Sequence, residues 1–166
     1  MISLRSITWE NWEECYNLEV AEEQKGFLAS NRYSLAQSYV ALLNDKLPPM
    51  TFAIYEGETM VGFAMMGYEA AGDNEYGDEP AYWLVRFMIE KRQQKRGLGS
   101  QAMELVLQYL EGFPQGAATA VYLGYDTKNE VARRFYHKFG FRETGVIAED
   151  EAIAVLWLPR NKTPSL

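Results

Sequence analysis

Residues 94–99, Gln-Lys-Arg-Gly-Leu-Gly, lie between a strand-like run, Tyr82-Trp83-Leu84-Val85-Arg86-Phe87-Met88-Ile89, and an amphipathic segment. In that segment Leu98, Ala102, Leu105, Val106, Tyr109 and Leu110 recur at helical spacing, which predicts a helix over 98–111. A strand that feeds a glycine turn opening a helix constrains the chain to an α/β architecture. The two glycines let backbone come close to a ligand, and the first N–H groups of a helix have no intrahelical acceptor. Those donors and the positive end of the helix dipole suit a phosphate. Lys91, Arg92, Lys95 and Arg96 crowd the same turn, although the formal net charge of the chain is −7.

Three phosphate-binding patterns compete for this turn. A Walker loop, Gly-x-x-x-x-Gly-Lys-Ser/Thr, is absent. The dinucleotide pattern is met literally by Gly97, Gly99 and Ala102, but the acid that should follow about 20 residues later is missing. Residues 117–123 read only Ala-Ala-Thr-Ala-Val-Tyr-Leu. What remains, Gln/Arg-x-x-Gly-x-Gly/Ala, resembles the coenzyme A loop of the GNAT N-acetyltransferase superfamily. Downstream, residues 129–141 (Asn-Glu-Val-Ala-Arg-Arg-Phe-Tyr-His-Lys-Phe-Gly-Phe) resemble that family's second signature, Asn-x-x-Ala-x-x-x-Tyr-x-x-x-Gly-Phe. The residues have their own physical reading. Asn129 is a fitting N-cap, Val131, Ala132, Phe135, Tyr136 and Phe139 form one apolar stripe, and Gly140 can close the helix. Taken alone, Tyr136 reads as a core aromatic; two motifs in order and at the family's separation favour a functional tyrosine. The resemblance is strong over 82–141 and rests elsewhere on the order of elements.

A chain of 166 residues suits one domain, expected over 1–158, with residues 159–166 as a flexible tail. Apolar residues make up 48% of it, enough for a full core, yet no apolar run reaches the 18 or so residues of a membrane span. The opening Met-Ile-Ser-Leu-Arg-Ser carries no signal-peptide hydrophobic stretch, so a cytoplasmic protein is expected. Cys15 is the sole cysteine and His137 the sole histidine, which argues against a disulfide, a thiolate site or a multi-histidine metal cluster. Cys15 reads as a small core residue in a helical pattern. The net charge of −7 argues against nucleic acid, whose phosphates need Lys and Arg. Two runs hold acids and no base: Glu10, Glu13, Glu14, Glu19, Glu22 and Glu23, then Glu69, Asp73, Glu75, Asp78 and Glu79. Such runs are commonly solvated faces; the alternative is a site positive for an anionic cofactor and negative for a cationic substrate.

The remaining elements follow from periodicity and turn residues. Ile2–Arg5 reads as a strand, Thr8 as the cap of a helix from Trp9, and Ser34 as the cap of a helix ended by Pro48-Pro49. Runs 51–55 and 60–68 form a hairpin through Glu56-Gly57-Glu58-Thr59. Strands at 120–125, 142–146 and 153–158 complete the order β-α-α-β-β-β-α-β-α-β-β. This order is the one the GNAT fold carries, so the expected class is α/β, with a central mixed, mostly antiparallel sheet flanked by helices.

The resemblance implies acetyl-CoA as donor, no metal, and a small primary amine as acceptor, with no membrane partner and a homodimer left open. It implies that strand 82–89 splays from strand 120–125, so that the pantetheine arm pairs with backbone near Phe87, Met88 and Ile89. Gln94, Lys95, Arg96, Gly97, Leu98, Gly99 and Ser100 would hold the pyrophosphate, Asn129 would touch the cofactor, and Tyr136 would be the acid that protonates the departing thiolate. An acid on the strand before the turn is common in the family, but those positions here are Trp83 and Val85. A primary amine of pKa about 10 is neutral only about one part in a thousand at pH 7, so some group must take its proton. Glu75, Asp78 and Glu79 are the nearest acids in sequence, and with Trp83 they are the expected acceptor contacts. The segment 82–99 is most similar to the diamine and polyamine (spermidine/spermine) branch. Acetylation of another amine, such as a peptide N-terminus, an amino acid or an aminoglycoside, is the alternative, and acyl-CoA binding without turnover is the third.

Overall fold

The hairpin turn at Gly57 (φ +59°) joins the first two long strands of the computed structural model, which describes residues 1–159. Among the described residues the strands are β1 (Ile2–Ser6), β2 (Met50–Glu56), β3 (Thr59–Glu69), β4 (Ala81–Ile89), β5 (Ala120–Asp126), β6 (Arg142–Ala148) and β7 (Glu151–Trp157). The helices are α1 (Trp12–Asn17), α2 (Asn31–Asn44), α3 (Leu98–Glu111) and α4 (Glu130–Lys138), with short 3₁₀ turns at Glu22–Gln24 and Lys91–Gln93. The strands follow the order β1-β2-β3-β4-β5-β7-β6 in one mixed sheet. Pairing is antiparallel for β1–β2, β2–β3, β5–β7 and β6–β7, and parallel for β4–β5. The expected α/β class and element order therefore stand.

The chain gathers into two compact units, one of Met1–Gly67 with Leu84–Pro114, the other of Tyr68–Trp83 with Gln115 onwards. In the first, Met60 to Met66 of β3 are buried on both faces, as a strand flanked by neighbours requires. A Cβ at Gly62 would overlap the Met88 carbonyl oxygen, so only glycine fits there. Cys15, Tyr55, Phe63, Met65 and Met88 form one apolar cluster, against which Leu18, Leu28 and Leu35 pack. Helix α3 buries Leu98, Ala102, Met103, Val106, Leu107 and Leu110; Met103 and Leu107 join the stripe, while the expected Leu105 and Tyr109 are only half-buried.

Two helix starts differ from expectation. Thr8 does not cap α1, which begins at Trp12; its N–H instead donates to Asn11 Oδ1 (2.8 Å) and its carbonyl accepts from Trp12 N–H (3.0 Å), forming a turn ahead of the helix. Helix α2 begins one turn before Ser34. Ser30 Oγ accepts from Tyr33 N–H (3.2 Å), while Ser34 lies inside the helix with its hydroxyl donating to the Ser30 carbonyl (3.1 Å). Both serines can cap; the local chain uses the earlier one because Asn31 is then placed to donate its amide to the Cys15 carbonyl (2.8 Å) in the core.

In the second unit β5 pairs with β7 from Ala120–Trp157 to Asp126–Glu151, and Ala81, Ala120, Tyr122, Ile153 and Val155 cluster on one face. The parallel pairing of β4 with β5 runs from Ala81–Ala120 to Trp83–Tyr122, three pairs, and each strand continues beyond it. Pro159 is exposed; the rest of the expected tail, 160–166, lies outside the described residues.

Candidate active site

The glycine turn is shaped from below by a buried carboxylate. Glu90, directly after β4, is 3% exposed and accepts from Arg92 N–H (2.8 Å) and Arg92 Nε (3.1 Å), which sets the 3₁₀ turn. Gln94 then folds back: its amide donates to the Ile89 carbonyl (2.9 Å) and to Gln24 Oε1 (2.7 Å). Its side chain, expected on the cofactor, is thus a fastener between the strand end and the turn. The Ile89 carbonyl it occupies is one of the backbone groups expected to meet the pantetheine arm. Phe87 is half-buried, and Met88 and Ile89 are buried in β4.

Lys95 (φ +61°) and Gly97 (φ +76°) both take the left-handed region, so the chain turns twice before α3. A left-handed lysine costs about 1–2 kcal/mol, a strain seldom kept without a use. Gly97 is the N-cap of α3, and a Cβ there would meet nothing within 4 Å, leaving open space against the backbone. The Gln101 amide donates to Gly97 O (3.3 Å). Leu98 and Gly99 precede it as N-terminal amides, with the Leu98 side chain buried as an anchor; Ser100 follows, half-buried. This open, donor-bearing turn fits a pyrophosphate.

The charges of the turn are another matter. Lys91 Nζ pairs with Glu19 (2.8 Å), Arg92 with Glu90 (3.1 Å), and Arg96 with Glu56 (2.8 Å). Among the described residues Lys95 alone of the four makes no ion pair. The sequence showed a crowd of cations; the fold supplies Lys91 and Arg96 with carboxylates from positions distant in sequence, and Arg92 with the neighbouring Glu90. Glu19 is held below the ordinary carboxylate range by the Lys91 hydrogen bond, with Lys25 adding to it.

The second motif and the acidic loop belong to the other unit. Asn129 caps α4, its Oδ1 accepting from Ala132 N–H (3.1 Å), which leaves its amide NH₂ for a ligand. The expected apolar stripe is not a buried face: α4 contains no buried residue, and Val131 is 73% exposed. Rings take the place of a buried stripe. Tyr136 stacks on Tyr125 (5.9 Å) and meets Phe141 edge-on (5.8 Å). Arg133 holds the helix down by pairing with Glu143 (2.8 Å), which also accepts from the Tyr125 hydroxyl (2.8 Å). Among the described residues no group bonds the Tyr136 hydroxyl. Loss of solvent around the half-buried phenol, then the charge of Glu151, raises its pKa well above the ordinary phenol value. At neutral pH Tyr136 is a protonated donor and no base.

Glu75, Asp78 and Glu79 are exposed, and the ordered residue of their loop is Asn74, which is buried, donates to the Glu79 carbonyl (3.3 Å) and accepts from Tyr76 N–H (3.1 Å). Trp83 is half-buried, with Tyr76 at 5.4 Å and Tyr122 stacked at 5.6 Å. Its indole Nε1 donates to Glu69 Oε2 (2.9 Å). Glu69, half-buried at the end of β3, has its pKa raised by burial; the Trp83 bond opposes this, and the charges of Glu75 and Asp73 add to it. Tyr76 is raised by burial, then by Glu75, Glu149, Glu69 and Glu151. Sequence reasoning singled out neither Glu69 nor the acids of the β6–β7 turn. Their only signal was the acidic run containing Glu69 and the triplet Glu149-Asp150-Glu151.

Among the described residues no three His, Cys, Asp or Glu side chains are placed to hold a metal ion. Cys15 is fully buried and its thiol is pushed up to about 12, which removes it as a nucleophile. The geometry gathers Phe87 to Ser100 in the first unit and Glu75, Asp78, Glu79, Trp83, Asn129 and Tyr136 in the second.

Residues 2–141, which include both motifs, match the family described as Acetyltransferase (GNAT) family. The chain belongs to the GNAT family. A spermine/spermidine N(1)-acetyltransferase of Bacillus subtilis (strain 168) is 30% identical over 146 residues, covering 87% of this chain and 90% of that protein. Solved structures that share the fold include two acetyltransferases. Spermidine N-acetyltransferase from Vibrio cholerae, in complex with CoA and spermine, superposes with TM-score 0.67 at 14% identity over 94% of this chain and 95% of that one. The ribosomal-protein-S18-alanine N-acetyltransferase from Escherichia coli gives TM-score 0.64 at 17% identity over 97% and 98%. This GNAT chain is therefore an N-acetyltransferase, which moves acetyl from acetyl-CoA to an amine.

Proposed function

We propose that the acceptor is a di- or polyamine and that residues 1–158 act as one catalytic domain. The observation that carries this reading is the aromatic wall Tyr76–Trp83–Tyr122 with carboxylates bearing on it: Glu69, Glu75, Glu149 and Glu151 all act on the Tyr76 phenol. Clustered carboxylates beside aromatic faces favour a polycation over a neutral or anionic acceptor. A carboxylate that gripped the reacting nitrogen would keep it protonated, whereas one that grips a second, remote ammonium leaves the attacking nitrogen free. The 30% identity to a spermine/spermidine acetyltransferase points the same way.

In this reading the turn residues Lys95 to Ser100 hold the pyrophosphate, chiefly through backbone N–H groups. Asn129 offers its amide NH₂ to the cofactor, and Tyr136 protonates the leaving thiolate. Coenzyme A supplies the activated thioester carbonyl; the protein binds, orients and moves protons. A phenol of raised pKa is a weak acid against a thiolate whose conjugate acid has pKa about 8.5. Transfer from Tyr136 is therefore favourable only in step with proton loss from the attacking nitrogen.

The test is thiol release from acetyl-CoA with a panel of amines. Spermidine and spermine should be used in preference to a monoamine of equal chain length, and added salt should raise their KM. Neutralising Glu75, Asp78 and Glu79 together should raise that KM with a smaller effect on kcat. Equal use of monoamines and polyamines, with no salt effect, refutes the polyamine reading. Absence of thiol release with every amine refutes turnover.

A further inference from the structure

Direct attack on a thioester needs a neutral nitrogen, and at pH 7 the acceptor is almost wholly ammonium. The expected strand positions, Trp83 and Val85, carry no acid, and Glu75, Asp78 and Glu79 are exposed on a loop. We propose that Glu69 is the group that takes the proton from the acceptor ammonium, an assignment that rests on the N-acetyltransferase reading above.

The geometry that carries it is an anchored carboxylate with one oxygen left over. Glu69 Oε2 accepts from the Trp83 indole at 2.9 Å, and among the described residues Oε1 accepts from no protein group. Trp83 is itself fixed between Tyr76 and Tyr122, so the anchor does not swing. Trp83 and Tyr122 are the last paired residues of β4 and β5, and β4 runs on for six more residues with its backbone in extended form. Glu69 thus stands where that pairing stops. Half-burial keeps part of it open to a ligand while lowering the polarity around it.

The groups facing Glu69 reinforce the role. The indole N–H from β4 favours the charged carboxylate, while burial and the like charges of Asp73 and Glu75 from the loop favour the protonated one, with a net rise. Glu69 is raised, whereas Glu10, Glu19, Glu58 and Glu143 are lowered. A carboxylate moved towards neutrality is a better match for proton transfer at physiological pH. The proton balance closes. The ammonium gives one proton to Glu69, which passes it to solvent, and the neutral amine attacks the carbonyl carbon. The C–S bond then breaks, the thiolate is protonated, and nitrogen loses its second proton to leave a neutral amide.

The experiment is a pH profile of kcat/KM for spermidine with the full chain, its Glu69→Gln variant and its Trp83→Phe variant. Glu69→Gln should lose about 10²–10⁴-fold at pH 7 and recover about tenfold per pH unit as the amine deprotonates unaided. Its affinity for acetyl-CoA should not change. Trp83→Phe removes the bond that favours the charged carboxylate, so the acidic limb should move to higher pH, whatever the change in plateau height from the lost acceptor contact. A Glu69→Gln profile parallel to the parent, or within threefold of it at pH 7, overturns the assignment. So does an unmoved acidic limb in Trp83→Phe, which decides the matter if Glu69→Gln fails to fold. If the parent uses a different amine, the same profile is run with that amine, so failure of the polyamine reading alone leaves this test intact. A parent that releases no thiol with any amine overturns both.

Discussion

Replacing Gly97 by glutamate separates the cost to the fold from the cost to the cofactor. The left-handed φ of +76° makes any side chain there pay about 1–2 kcal/mol. A Cβ meets nothing within 4 Å, so no clash adds to that strain. In a domain of this size about 1 kcal/mol lowers Tm by about 2–4 °C, so the fall should be about 2–8 °C. Binding should suffer far more. In the proposed assignment the pyrophosphate approaches the α3 amides through the open space above Gly97, and a hydrogen bond to a charged group contributes about 1.5–3 kcal/mol. Loss of two such bonds is about 3–6 kcal/mol, or about 10²–10⁴-fold in Kd. Gly97→Ala carries the same strain without bulk or charge, so it should match the Tm change with a smaller loss of affinity. Arg96→Ala should weaken binding less again, because Arg96 is paired with Glu56. Gly62→Ala, which drives a methyl into the Met88 carbonyl, should be the variant that loses its fold. Calorimetric titration with acetyl-CoA and a thermal melt give both quantities. A folded Gly97→Glu protein with parental affinity would refute the pyrophosphate assignment.

Tyr136→Phe keeps the ring on Tyr125 and Phe141, so stability and acetyl-CoA affinity should hold while kcat falls about 10²-fold or more; turnover within threefold of the parent would return Tyr136 to a packing role. Burial lifts the Cys15 thiol from the ordinary 9.0 to about 12. Between those values the unfolded chain binds fewer protons than the folded one, so stability is full below about pH 9 and falls as pH rises, by up to about 1.4 kcal/mol per pH unit. Tyr125, raised from 10.0 to about 12, joins that loss above pH 10, so denaturant titrations at pH 9–10 isolate the cysteine. Cys15→Ala should flatten that interval, and an unchanged slope would refute the cause.

The elements legible in the sequence were those whose signals are local. The α3 span 98–111, the Asn129 cap and the hairpin at Gly57 depend on periodicity and on residues within a turn of one another. The helix starts at α1 and α2 were misplaced because Thr8, Ser30 and Ser34 all have capping chemistry, and the choice falls to contacts such as Asn31 with the Cys15 carbonyl. Charge was the least legible property. Glu56 and Glu19 meet Arg96 and Lys91 from positions that no local window joins, and Glu69 gains its setting from Trp83, fourteen residues on. A run of acids in sequence has no direction; a strand end and an indole give it one.

The pairing of Lys91, Arg92 and Arg96 has a kinetic meaning. A turn whose cations are mostly matched by carboxylates, in a chain of net charge −7, exerts little long-range pull on an anion. Coenzyme A would then arrive at the pace of ordinary collision, and its arrival would respond weakly to ionic strength. On the proposed assignment, selection would fall on how long a ligand stays, through short-range bonds to the turn's amides rather than through long-range charge.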